Sequence, residues 1–247
     1  MPNNGISSPE EFFGFKMGAE KKIARWDKIV EYFLLLAKTS DRIKVVELGK
    51  STEGNPFLLA IISSAENLRN MERIREMSWR IAHPKGLSKE EVEDIIKNGK
   101  TVFAITNSIH ATEIGGAQMA PELAYQLISS EEPTFQKIRE NTVLLLFPSF
   151  NPDGQIMVTD WYNKYLGTEY EGTGPPVLYH KYTGHDNNRD AFSLTQVESQ
   201  MVSHILYQEW FPQTYIDHHH MGSYSARYYI PPFANPINPN VDPLIWT

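Results

Sequence analysis

The 247-residue sequence contains no cysteine. Disulfides and thiolate ligands are thereby excluded, and any metal must be held by His, Asp or Glu. Long apolar runs are missing as well. The strongest candidate, residues 32–37, falls far short of the ~18 residues of a membrane span. The N-terminus, Met1-Pro-Asn-Asn-Gly5, has no basic segment followed by an apolar one, so the chain is expected to be cytoplasmic or to have had a signal peptide left off. There is no Lys/Arg run, and 23 basic against 30 acidic residues give a formal net charge of -7. That balance speaks against a nucleic-acid or anionic-membrane partner. Internal repeats and low-complexity tracts are also lacking.

What is present is the make-up of an ordinary globular chain, 41% hydrophobic and 21% charged, with length enough for a sizeable core. Ser8-Pro9-Glu10-Glu11 is a capping box with proline at the first helical position. Its short helix should stop near Gly14 or Gly18. Residues 20–38 set Ile23, Trp26, Ile29, Val30, Phe33 and Leu34 at helical spacing, and those apolar residues read as core. Residues 43–48 and 57–63 are strand-like and form an expected antiparallel pair. Helices follow over 65–83 and 88–98, the second opened by the capping box Ser88-Lys-Glu-Glu91.

The run 102–106 reads as a buried strand, followed by a helix over 116–129. Residues 142–147 are apolar on both faces, as a strand covered on both sides should be. Then come a turn cluster ending in Asn151-Pro-Asp-Gly154, a long structured loop over 155–189, a helix over 193–210 capped by Ser193, and a short strand over 213–217. Such long loops are usually functional. Residues 228–243 read as extended, proline-punctuated chain. Alternating helices and strands after an initial hairpin predict an α/β sandwich with a mixed sheet, and nothing marks a domain boundary.

Four segments stand at predicted strand ends or in the long loop: His110/Glu113, Asn151 to Gly154, Asn187-Asn188-Arg189, and Asp217-His218-His219-His220. A His and a carboxylate at the C-terminal end of a strand can point at one ion from the sheet's top edge. Two His, one carboxylate and an open position make a catalytic zinc set, where the metal lowers the pKa of a bound water and polarises a carbonyl. An Arg with an amide neighbour suits bidentate recognition of a carboxylate. Arg189 has a plainer reading too, as a surface partner of Asp186 or Asp190.

Taken in order, His-x-x-Glu, Asn-Pro-Asp-Gly, Asn-Arg and Asp-x-His resemble the zinc metallocarboxypeptidases of the carboxypeptidase A type. The likeness spans His110 to His219, and the flanking strand pattern fits from about Ile43. The resemblance implies a single catalytic domain of α/β class over 1–247. Its mixed, mostly parallel sheet would carry helices on both faces, the zinc-exopeptidase or phosphorylase/hydrolase-like fold. It further implies one Zn2+ per chain on His110, Glu113 and His219, with Asn188 and Arg189 holding the C-terminal carboxylate of a peptide substrate. His219 is chosen because it completes Asp217-x-His219; His218 and His220 should face the other side of the strand. Asn151 to Gly154 is expected to be a structural turn, with Asp153 a weaker ligand candidate. A secreted or periplasmic location is common in the family.

Two departures stand out. No Arg lies between Gly154 and Arg189 to match the family's second arginine, and Lys164 near the expected place is a poorer point charge. The family's general-base Glu and closing Tyr lie well downstream of the third zinc ligand, whereas only 28 residues follow His219. No catalytic base is therefore assigned within 1–247, and the domain is expected to continue past Thr247. Two alternatives accompany the peptidase reading: a zinc deacylase of the aspartoacylase-like type, and an inactive zinc- or peptide-binding pseudo-peptidase.

Overall fold

A computed structural model describes residues 5–221, 239–240 and 242–245. The extended stretch expected over 228–243 lies almost wholly outside them. In chain order the elements are α1 (Pro9–Phe13), α2 (Trp26–Thr39), β1 (Ile43–Lys50), β2 (Pro56–Ile62), α3 (Ala65–Arg69), α4 (Met71–Ala82), α5 (Lys89–Asn98) and β3 (Thr101–Asn107). Then follow α6 (Gly115–Ser129), α7 (Pro133–Asn141), β4 (Thr142–Phe147), α8 (Pro152–Tyr165), α9 (Val197–His204) with a π-helical turn Ile205–Trp210, and β5 (Thr214–His218). Short 3₁₀ turns occupy Asn187–Arg189 and Pro243–Ile245.

The sheet order is β1-β2-β4-β3-β5. It is mixed, as expected, and its pairings divide evenly. β1 and β2 are an antiparallel hairpin (Ile43 opposite Ile62), and β2 runs antiparallel to β4 (Ala60 opposite Leu146). β4, β3 and β5 are parallel, with Val102 beside Val143 and Asn107 beside His218. Because these three strands share a direction, their C-terminal ends open at one edge. The loops after them carry His110, Asn151 and His219.

Side-chain alternation along β2, β3 and β4 sends residues into two apolar layers. Leu58, Ala60, Ile62, Ile105, Leu144 and Leu146 meet Trp26, Ile29, Phe33 and Leu36 of α2 and Ala120, Ala124 and Ile128 of α6. On the opposite face Phe57, Leu59, Ile61, Val102, Leu145 and Phe147 meet Ile74 of α4, Val202 of α9 and Trp210. Burial on both faces explains the unbroken apolar run of β4.

Both capping boxes form, at Ser8/Glu11 and Ser88/Glu91. Several boundaries differ from expectation. α2 starts at Trp26 rather than residue 20, because the Gln118 side chain takes both the N–H and the C=O of Ala24. The helix expected over 65–83 breaks at Asn70, leaving α3 and α4. α7 was not expected from the sequence, and the residue it buries is Arg139, whose guanidinium donates to the Leu127 and Ser130 carbonyls.

The larger correction is that residues 152–165 are helix, not loop. α8 buries Pro152, Asp153, Gly154, Gln155, Val158 and Thr159, so polar and small residues interrupt the apolar period of its inner face. α9 begins at Val197, and the buried Asp190 carboxylate, rather than Ser193, receives the N–H groups of Thr195 and Gln196.

Candidate metal centre

β3 ends at Asn107, whose wholly buried amide donates to the Phe147 carbonyl and faces His218 Nδ1 at 2.9 Å, tying the three parallel strand ends together. The next residue, Ser108, has φ +53°, a left-handed conformation uncommon outside glycine. It is held there by its own hydroxyl, which accepts from Ala117 N–H and donates to the Glu113 carbonyl. The turn then closes with Glu113 N–H donating to the His110 carbonyl at 2.9 Å. Strain of this kind collects at functional sites.

The turn and the end of β5 bring three donors together. His110 Nδ1 lies 3.0 Å from Glu113 Oε1, His219 Nδ1 lies 3.2 Å from Glu113 Oε2, and the two Nδ1 atoms are 3.2 Å apart. Among the described residues this is the group of His, Asp and Glu able to hold a metal ion. The outer nitrogen of each imidazole is engaged by a carboxylate. His110 Nε2 is 2.8 Å from Asp186 Oδ1, and His219 Nε2 is 2.7 Å from Asp217 Oδ2. A carboxylate there takes the Nε2 proton and leaves the Nδ1 lone pair facing inward. Three electron-pair donors then face one another. A proton can satisfy one of the nitrogens, whereas a cation satisfies all three atoms. The two Nδ1 atoms, 3.2 Å apart, each face a different oxygen of Glu113, at 3.0 and 3.2 Å. One donor atom from each residue lies within 4.8 Å of the others, the donor set of a zinc site with nitrogen and oxygen ligands.

The surrounding polar groups are themselves fixed. Asp217 also accepts from the buried Thr106 hydroxyl, and Asp186 from the Asn188 N–H and the Tyr179 hydroxyl. Partial burial opposes protonation of His110, but its hydrogen bonds to Asp186 and Glu113 outweigh this and raise its pKa above the usual imidazole range. Burial likewise works against ionised Asp186, yet the bonds from His110 and the Asn188 N–H hold its pKa below the ordinary carboxylate value. Tyr179 is pushed up to about 12 by burial and by the Asp186 charge, so it stays a neutral donor.

The candidate residues separate clearly. His110, Glu113 and His219 converge, while His218 turns to Asn107 and His220 accepts the Gly115 N–H at 3.0 Å. Asn188 reaches the rim, with Nδ2 3.3 Å from His219 Nε2. Arg189 is 68% exposed and only loosely paired, 3.7 Å from Asp186. Lys164 lies over the Tyr165 ring at 4.9 Å, and Lys181, the other lysine of that stretch, pairs with Glu53. Asp153 stands apart from the donor set. It is buried and accepts from Ser51 Oγ, the Glu53 N–H and the Asn55 amide, pinning the β1–β2 hairpin to α8.

Asn151 caps α8 through the Gly154 N–H and donates to the carbonyls of Ile109 and Tyr179. Gly154 is needed because a Cβ there would sit 1.9 Å from the Tyr179 oxygen. The roles of Asp186 and Asn107 were not legible in the sequence. Asp186 is 76 residues from the histidine it orients, and the one available signal was that a metal-binding imidazole needs an outer carboxylate.

No curated protein sequence matches the chain. Solved structures do. The carboxypeptidase A from Helicoverpa armigera superposes with a TM-score of 0.52 at 18% identity, over 83% of this chain and 47% of the other. Thrombin activatable fibrinolysis inhibitor does so with a TM-score of 0.51 at 12% identity, over 89% of this chain and 51% of its own. The chain thus spans about half the length of these structures, and at such identities the likeness establishes the fold. Residues 29–232 match the sequence model of the zinc carboxypeptidases; with that match covering most of the chain, this protein belongs to the zinc carboxypeptidase family.

Proposed function

We propose that the protein binds one zinc ion through His110, Glu113 and His219 and belongs to a metallocarboxypeptidase that releases C-terminal residues from peptides. The observation that carries this reading is the convergence of two imidazole nitrogens and one carboxylate, each imidazole backed by its own carboxylate. Zinc held there would supply Lewis acidity, polarising a substrate carbonyl and lowering the pKa of water. The chain's own residues set the tautomers, hold the donors in place and orient substrate. Asn188 and the exposed Arg189 guanidinium take the terminal carboxylate, the fork of the guanidinium matching its two oxygens.

Asp186 and Asp217, the carboxylates against the donor set, are engaged with the histidines, so neither is assigned as general base. No general base is assigned among the described residues, and residues 1–247 are proposed to belong to a single catalytic domain. A secreted or periplasmic location goes with the family reading. Among the described residues no helix is long and apolar enough to cross a membrane.

Zinc analysis of the purified protein tests the centre. One zinc per chain is expected, lost in His110→Ala and His219→Ala and retained in His218→Ala and His220→Ala. Full zinc in His219→Ala would show that the wrong histidine was chosen. Peptides with a free C-terminus should bind more tightly than N-acyl amino acids, which share the terminal carboxylate but lack the upstream residues; the reverse order would favour the deacylase. Peptide binding lost in Arg189→Ala is expected whether or not the chain turns over.

A further inference from the structure

From residue 160 to residue 186 every residue is at least partly exposed except His180, which is 3% exposed. No side chain of this stretch belongs to either apolar layer of the core. Its surface ion pairs, Lys21 with Glu171 at 3.1 Å and Lys181 with Glu53 at 3.2 Å, contribute little. One buried imidazole is therefore its main anchor. The same stretch serves the donor set. The Tyr179 ring lies 5.1 Å from that of His110, its hydroxyl donates to Asp186, and its carbonyl accepts from the Asn151 amide at 2.9 Å.

His180 holds well only while it is neutral. It stacks on Tyr182 at 5.5 Å and meets Tyr179 edge-on at 5.3 Å, and neither of its nitrogens has a hydrogen-bond partner among the described residues. A neutral imidazole carries one N–H and one lone pair, and a proton adds a second N–H together with a charge. Burying these without partners is costly. The charged groups that face it are Glu198 of α9 and, on its own segment, His185 and Asp186. Both carboxylates are already engaged, Glu198 by the Thr52 N–H at 2.7 Å and the Tyr182 hydroxyl at 3.5 Å, Asp186 by His110 and the Asn188 N–H. Tyr179 and Tyr182 stay neutral, their pKa values pushed up by burial. Burial, joined by the His185 charge, keeps the His180 pKa below the ordinary imidazole value, against the pull of the His185 backbone and the two carboxylates.

We propose that His180 is a proton-sensitive latch: neutral, it holds the 166–186 stretch, and with it Tyr179 and Asp186, against the donor set; protonated, it leaves its site and releases them. In the open form the ring titrates near the ordinary value of about 6.5. The closed form therefore loses ground as pH falls below about 6.5, by up to about tenfold per pH unit, until its own lower pKa is reached. His110 works in the opposite direction. Burial opposes its charge, but the bond to Asp186 outweighs this and raises its pKa, so its protonation tightens the closed form. Release on acidification is thus a signature of His180 and not of His110.

Hydrogen exchange of the metal-free chain tests the latch, read by mass spectrometry in peptides from 166–186 and corrected at each pH for intrinsic exchange. Between pH 7.5 and 5.5 protection over 179–186 should fall by up to about tenfold in the wild type and in His185→Gln, while β3 and β4 keep theirs. In His180→Phe, which keeps a ring between the two tyrosines but takes no proton, protection should stay level over this range. The wild-type His180 C2 proton, identified in NMR spectra by its contacts with the Tyr179 and Tyr182 rings, should titrate below about 6.5. That titration and the wild-type exchange decide the matter if the Phe variant fails to close. Wild-type protection that does not fall, an equal fall in His180→Phe, or a His180 titration at or above about 6.5 would overturn the latch. A fall abolished in His185→Gln would make His185 the titrating group and overturn it as well.

Discussion

Removal of the Asp186 carboxylate should weaken zinc binding by an amount set by what Asp186 does for His110. Its Oδ1 accepts from His110 Nε2 at 2.8 Å, from the Asn188 N–H at 2.9 Å and from the Tyr179 hydroxyl at 3.2 Å. Asp186→Asn preserves the shape and one accepting oxygen but removes the charge. Asp186→Ala removes both and frees the ring to rotate. Loss of an outer partner of a metal-bound imidazole typically costs 10–100-fold in affinity, about 1.4–2.7 kcal/mol. We expect Asn near the lower figure and Ala near the upper, read by competition with a chromophoric zinc chelator at pH 7.5. The pH dependence follows from sign. Zinc needs the unprotonated Nδ1, and Asp186 helps to raise the His110 pKa, so protons compete harder in the wild type than in the variants. The affinity gap should therefore be widest well above the imidazole range and narrow as pH falls below it. Unchanged zinc affinity in Asp186→Ala at neutral pH would refute the role given to this carboxylate, and a gap that widens on acidification would refute the linkage.

Without metal, the His110–Asp186 pair should make stability pH-dependent within one window. His110 has a raised pKa, so its contribution is present below the unfolded value of about 6.5 and fades as pH rises through the folded value. Asp186 has a depressed pKa, so its contribution is present above about 3.9 and fades as pH falls through its folded value. The urea-midpoint difference between metal-free wild type and Asp186→Ala should peak between those limits; a flat difference from pH 4 to 9 would contradict it. Asp153→Ala strands the donors of Ser51, Glu53 and Asn55 and should cost about 3 kcal/mol, a thermal midpoint lower by roughly 6–12 °C, with zinc content unchanged. Lost zinc there would revive Asp153 as a ligand. Gly154→Ala drives a methyl against the Tyr179 carbonyl and should cost about 1–3 kcal/mol. Because that loop leads to Asp186, calorimetry and chelator competition should show both stability and zinc affinity falling; a variant matching wild type in both would disprove the contact.

The donor set was legible because its residues cluster by short rules. His110 and Glu113 are three apart behind an apolar strand, and Asp217 precedes His219 by two. His219 was chosen because it completes Asp217-x-His219, with strand alternation setting its neighbours aside, and of the three histidine side chains it is that of His219 that lies against His110 and Glu113. α8 was missed because polar and small residues, Asp153, Gly154, Gln155 and Thr159, make up most of its buried face. α7 was missed for the same reason through Arg139. Periodicity detects elements that bury carbon and passes over those that bury polar groups.

By itself the sequence determined the α/β class, the strands through their β-branched and apolar runs, and which residue types could meet a metal. These are local properties, set by side-chain period and donor chemistry within a few residues. Only the tertiary structure decided that Asp186, Asn107 and Ser108 serve the site. The Asp186 and Asn107 contacts join residues tens of positions apart. They exist because three parallel strands end at one edge, and no local rule encodes the register that brings those ends together.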